Sequence, residues 1–158
     1  MTEKITTCLW FDTQAEEAAD FYVSVFDDSK ILNVARYGDV GPGIAGQAMT
    51  VEFEIEGRKF LGLNGGPAFT FTEAVSFVIN CSSQEEVDRY WTALTAGGSE
   101  GQCGWLKDRF GLSWQVVPSA MGQLLGGPDP EGAQRAMQAM LGMRKLVISE
   151  LQAAYDGV

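Results

Sequence analysis

The chain contains no histidine. That absence removes Ser-His and Cys-His catalytic dyads and every imidazole metal site. Cysteine is scarce: Cys8, Cys81 and Cys103 make an odd number with no paired spacing. Free thiols in a reducing compartment, the cytoplasm, are the expectation. Positive charge is also short, with 11 Lys and Arg against 21 Asp and Glu, a net charge of -10. Such a surface repels phosphate backbones and anionic lipid, so neither nucleic acid nor membrane is an expected partner. It confers solubility and would suit a cationic ligand. No apolar run is long enough to cross a bilayer, and MTEKITTC lacks the basic stretch and apolar core of a signal peptide.

What is present reads as two similar halves followed by a tail. ITTCLWFD is a β-rich run, and TQAEEAADFYVSVF places apolar residues at helical spacing. Thr13 is the expected N-cap, with Glu16 and Glu17 in the first turn where the helix dipole favours them. The second half repeats this with AVSFVINC and SSQEEVDRYWTALTAGG, capped by Ser82 or Ser83. Glu16-Glu17 matches Glu85-Glu86, Phe21-Tyr22 matches Tyr90-Trp91, and the same offset carries Thr7 onto Ser76.

Further strands follow each helix. KILNVARYG precedes the pair AMTVEFEIEGRKFLGLN, which turns near Glu56-Gly57. In the second half a pair turns through Asp108-Arg109-Phe110-Gly111, with Asp first and Gly fourth as in a type I turn. Each half is therefore β-α-β-β-β. The predicted organisation is one domain over 1–120, with module one at 1–66 and module two at 74–120. A helical extension follows over 121–158, in which Asp129 caps a helix opening on Pro130 and Gly142 breaks it. The Met and Leu stripe of this tail is read as a packing face.

Several showy features carry little chemistry. Cys103 lies near Lys107 and Arg109, but a nucleophilic thiol needs a base that this chain does not supply. GGSEGQCG follows a helix and precedes a strand, the reverse of the dinucleotide fingerprint. Lys107-Asp108-Arg109 reads as a solvated turn. Glu52 and Glu54 alternate with Val51, Phe53 and Ile55, the pattern of a strand's solvated side.

Paired β-α-β-β-β modules, with AEEAADFY after the first strand and DRFGLSWQVV in the last hairpin, resemble the vicinal oxygen chelate superfamily of glyoxalase I, extradiol dioxygenases and antibiotic-resistance proteins. FDTQAEEAADFYVSVF, FLGLNGGP, EVDRYW and GQCGWLKDRFGLSWQVVP are similar to its PhnB-like branch, which carries a demethylubiquinone methyltransferase-like label. The resemblance implies an α+β fold and a cup between the modules. In superfamily enzymes the first and last strands of each module hold one divalent metal there. Mapped onto this chain, those positions are Thr7, Ser76, Gln115 and either Gly62 or Asn64. Neutral hydroxyls and amides hold Zn, Ni, Fe or Mn poorly.

The expectation is therefore no metal ligand, no cofactor and no assigned catalytic residue. Thr7, Asn64, Ser76, Trp105 and Gln115 are candidates for binding a small molecule, with Phe69 and Phe71 as further aromatic walls. If Thr7, Ser76 and Gln115 face inward, Cys8, Trp10, Phe77, Ile79, Trp114 and Val116 belong to the core, as does Cys81. The resemblance further implies a homodimer. The rival reading is an enzyme, either a metalloenzyme using other carboxylates or a methyltransferase as the label implies.

Overall fold

The computed structural model describes residues 3–158. They divide into two compact units, the first ending at Phe71 and the second running from Thr72 to Val158.

The first unit holds β1 (Thr7–Phe11), α1 (Ala15–Val25), β2 (Ser29–Arg36), β3 (Ala48–Ile55) and β4 (Arg58–Asn64). Its sheet runs in the order β1-β4-β3-β2, with β1 parallel to β4. Ala15, Ala18, Ala19 and Tyr22 form the buried stripe of α1, at the spacing that keeps one helical face inward. The alanines let the helix approach closely: a Cβ on Gly62 would stand 3.3 Å from that of Ala15. Val51, Phe53 and Ile55 of β3 are buried while Glu52 is exposed. The β3–β4 hairpin turns at Glu56 and Gly57, with φ of 48° and 80°, the paired positive values of a type I′ turn.

The second unit opens with β5 (Ser76–Cys81) and α2 (Gln84–Thr95). β6 (Ser99–Glu100), β7 (Trp105–Lys107) and β8 (Ser113–Pro118) follow. The sheet order is β5-β8-β7-β6, the same topology as the first, with β5 parallel to β8. Two four-stranded sheets, each with one helix between its first and second strands, make this an α+β chain of paired β-α-β-β-β modules. Ser83 caps α2 by accepting from the Glu86 backbone at 3.2 Å, and Glu86 in turn accepts from the Ser82 N–H at 2.7 Å. These reciprocal bonds satisfy donors that the helix leaves orphaned. Val87, Tyr90, Trp91 and Leu94 of α2 are buried.

The turn after β7 is less solvated than its sequence suggests. Gly111 donates to the Asp108 carbonyl at 2.9 Å, closing the expected turn. Asp108 itself is only 3% exposed, a correction to the reading of Lys107-Asp108-Arg109 as a solvated tip. Its carboxylate accepts from the backbones of Phe110 and Leu112 and from the Trp114 indole at 2.9–3.0 Å. A side chain that answers three donors from its own hairpin is held inside it.

The tail comprises α3 (Met121–Gly126), α4 (Pro130–Leu141) and α5 (Ile148–Asp156). Asp129 caps α4 as expected, accepting from Glu131, and helix ends at Gly142. α3 lies within the expected helical extension, although its six residues show too little periodicity to mark it as a separate helix. Met121, Leu124, Ala136, Leu146 and Leu151 form a shared core for the tail helices. That core adjoins the module-two sheet through backbone bonds, Cys103 donating to Met143 and Gly104 to Arg144, both at 2.8 Å. Gln84 adds two more, donating to the Leu146 carbonyl and accepting from Ile148. Lys145 lies 2.9 Å from Asp88. The carboxyl of Asp88 is held below its ordinary range by the Gln84 hydrogen bond first and Lys145 second. No described helix is long and apolar enough to cross a membrane.

Candidate functional site

Strand alternation decides which residues can meet on one face, and here the first module departs from expectation. Leu9 and Phe11 are buried toward α1, whereas Cys8 is exposed and Trp10 half-buried on the other face. Thr7 shares the parity of Leu9 and Phe11, so it belongs to the helix side. The sequence mapping places these two sets on the opposite faces, and the structure corrects it. Asp12, Thr13 and Gln14 connect β1 to α1, whereas only Ser82 and Ser83 connect β5 to α2. Aligning the modules by their helices therefore slips the strands by one residue. A one-residue slip sends every side chain to the opposite face.

Asn64 also has a different occupation. It is 4% exposed; its Oδ1 accepts from the Ala15 N–H at 2.8 Å, and its Nδ2 donates to the Ala48 carbonyl at 2.9 Å. Thr13 is not the cap of α1. The N-cap is Gln14, which makes no side-chain capping bond. Asn64 supplies that acceptor from the far end of β4. Gly62, the alternative to Asn64, faces α1 as well.

The second module brings its candidates together. Phe77, Ile79 and Cys81 alternate with Ser76, Val78 and Asn80 along β5, and Trp114 and Val116 are buried on β8. Ser76 and Gln115 share the other face, where the Gln115 Nε2 donates to the Ser76 Oγ at 2.9 Å. That leaves the Gln115 Oε1 as an acceptor. Trp105 lies directly across from Gln115 and shares its face. Ser76, Trp105 and Gln115 thus form one cluster. Phe69 and Phe71 pack edge-on against Trp10 and Phe11, with centroids 4.9 and 5.3 Å apart.

Trp105 stands apart from the other three tryptophans. Trp10 donates its indole N–H to the Gly66 carbonyl, Trp91 to Glu100 and Trp114 to Asp108. Among the described residues, the Trp105 N–H has no such partner. It is not among the buried unpaired groups, so this N–H is open to water or to a ligand.

The fold implies a divalent metal in enzymes that share it. Among the described residues, no three His, Cys, Asp or Glu side chains come together. On the open face of sheet one, Cys8 and Glu52 each lie opposite Leu61, which separates them. On sheet two that face offers serine hydroxyls, the Gln115 amide and the Lys107 ammonium. These donors do not fit a resident transition metal.

The thiols are expected to differ sharply. Burial, then the Glu86 charge, pushes Cys81 up to about 11, and partial burial also raises Cys8. A folded pKa above the unfolded one means this contribution is present below the ordinary thiol range and is lost as pH rises toward 11. At pH 8, a maleimide is expected to label Cys8 in the native protein and Cys81 only after unfolding. Peptide mass spectrometry checks this, and equal native labelling of the two would contradict the buried placement. Cys103 has φ of 58° and uses its backbone to hold the tail.

Comparison with known proteins agrees with this architecture. A family model described as 3-demethylubiquinone-9 3-methyltransferase matches residues 3–117. The solved PhnB protein of Bacillus cereus, which bears the same enzyme name, is 36% identical, with 74% of this chain and 100% of that one covered and a TM-score of 0.69. A solved protein of Pseudomonas aeruginosa is 21% identical over 74% of this chain and 98% of its own, with a TM-score of 0.61. The fosfomycin resistance protein FosX of Listeria monocytogenes, solved with Mn(II) and sulfate, is 14% identical. That match covers 80% of this chain and 97% of FosX, with a TM-score of 0.54. The last two share the fold alone. No curated protein matches the chain. With the family model spanning both modules and the Bacillus relative covered end to end, the chain belongs to the PhnB-like family described as 3-demethylubiquinone-9 3-methyltransferase, within the vicinal oxygen chelate fold.

Proposed function

We propose that this protein binds a small molecule on the open face of sheet two without a metal, using Trp105 as an aromatic wall and Gln115 and Ser76 as polar contacts. The observation that carries the reading is the Trp105 indole, half-buried and without a hydrogen-bond partner among the described residues, lying across from Gln115. An aromatic face beside a fixed amide suits a ligand with one flat or apolar part and one donor. Thr7 and Asn64 drop out of the site: one is on the helix side, the other bonded within the fold.

The methyl transfer named in the family description gains no support from Gly97–Gly104. Gly97, with φ of 78°, follows the end of α2, and the run continues into β6 and β7 rather than opening a helix. Free thiols support a cytoplasmic setting. Exposed Val75, just before the edge strand β5, and Val78 within it support a homodimer, which light scattering would show as twice the chain mass.

A thermal-shift screen of metabolites and cationic compounds is the first experiment. Hits are expected to lose affinity at least tenfold in Trp105→Ala and in Gln115→Ala, about 1.4 kcal/mol or more. Hits indifferent to both substitutions would refute the site. Calorimetry with S-adenosylmethionine is expected to show no saturable binding, and clear binding would replace this reading with methyl transfer.

A further inference from the structure

A second row of polar side chains crosses the same face of sheet two. Ser99 on β6 lies opposite Lys107 on β7, Lys107 opposite Ser113 on β8, and Ser113 opposite Ser76 on β5. Directly paired residues share a face, so three hydroxyls and one ammonium run across all four strands. Ser113 is 1% exposed, and its Oγ has no hydrogen-bond partner among the described residues. Native proteins keep few such groups, because an unanswered buried hydroxyl is destabilising. Ser99, Lys107 and Ser113 line a cavity of about 210 Å³ together with Trp105.

The Lys107 ammonium is already occupied. Glu73, from the segment leading into β5, pairs with it, and the hydrogen bond from Lys107 holds the Glu73 carboxyl below its usual range. Both side chains are well exposed, at 42% and 60%, so the pair is weak and readily exchanged. Glu100 also lines the cavity, but its charge is answered elsewhere: Oε1 accepts from the Trp91 indole, and Oε2 lies 3.5 Å from Arg144. A carboxylate thus rests on Lys107 beside a hydroxyl that lacks a partner. An incoming oxyanion could take that carboxylate's place and satisfy the hydroxyl as well.

We propose that this row is an oxyanion subsite, in which Lys107 and Ser113 take the carboxylate or phosphoryl group of a small ligand and Glu73 is the built-in competitor it displaces. The inference rests on the reading of this face as a binding site and adds the class of group it selects. Trp105 then contacts the remainder of the ligand.

Calorimetry at low ionic strength with malonate and with inorganic phosphate tests it and separates the two oxyanion types. At least one probe is expected to bind saturably. Glu73→Gln should tighten that binding about tenfold, and Lys107→Gln and Ser113→Ala should weaken it about tenfold. Glu150→Gln changes net charge equally on exposed α5 and should leave affinity as it is. Ser113→Ala should also melt at the same temperature as the parent or about 2–4 °C higher, because it removes an unpaired buried hydroxyl. The proposal is overturned if Glu73→Gln and Glu150→Gln behave alike, if Ser113→Ala keeps full affinity, or if neither probe binds even Glu73→Gln. In the last case, screening hits that still need Trp105 and Gln115 would leave the binding face intact and remove only the oxyanion assignment.

Discussion

Asp108→Ala is expected to destabilise the protein by about 3–5 kcal/mol, since it leaves three donors unanswered at about 1–3 kcal/mol each. The substitution strands the backbone N–H groups of Phe110 and Leu112 and the Trp114 indole, all within 3.0 Å of the carboxylate. Each loses its acceptor where water cannot readily replace it. Set against a total stability of roughly 5–15 kcal/mol, this is a large share. At about 2–4 °C per kcal/mol for a chain of this size, the melting temperature should fall by about 10 °C. Asp108→Asn should cost less, since its amide can still accept once but must present a donor to one of the three. Thermal denaturation followed by circular dichroism checks both. An alanine variant that melts like the parent would show the turn to be solvated after all.

The second large effect is expected at Asn64. Asn64→Ala removes the acceptor for the first N–H of α1 and the donor to Ala48, leaving two buried backbone groups unanswered. About 2–4 kcal/mol of stability should go with them, more than an ordinary exposed N-cap. Asn64→Asp keeps an acceptor at the positive end of the helix but loses the donor, so it should fall between the two. Urea denaturation measures this directly. If Asn64→Ala unfolds at the parent midpoint, Asn64 returns as a candidate ligand contact.

Cys8 and Asn64 show where legibility in the sequence ended. The hydrophobic run of β1 is apolar on both faces, so its alternation alone could not say whether Cys8 or Leu9 met the helix. The offset between the modules rests on the helices, where AEEAADFY and QEEVDRYW align well. The extra connecting residue after β1 then reversed the strand. Asn64 looked available because its partners, Ala15 and Ala48, lie far away in sequence. Ser113 gave no signal at all: an unpaired hydroxyl is defined by what fails to surround it.

By itself the sequence determined the repeated β-α-β-β-β order, the turn at Asp108–Gly111, the Asp129 cap with its following proline, and the family. All of these rest on local periodicity, turn chemistry or contiguous strings, which neighbouring residues specify without help from distant ones. Only the tertiary structure decided which face each strand presents, that Asn64 caps a helix, that Asp108 is buried, and that among the described residues Trp105 lacks the partner its three counterparts have. Those are relations between residues brought together by register across strands, and register depends on every connection along the way.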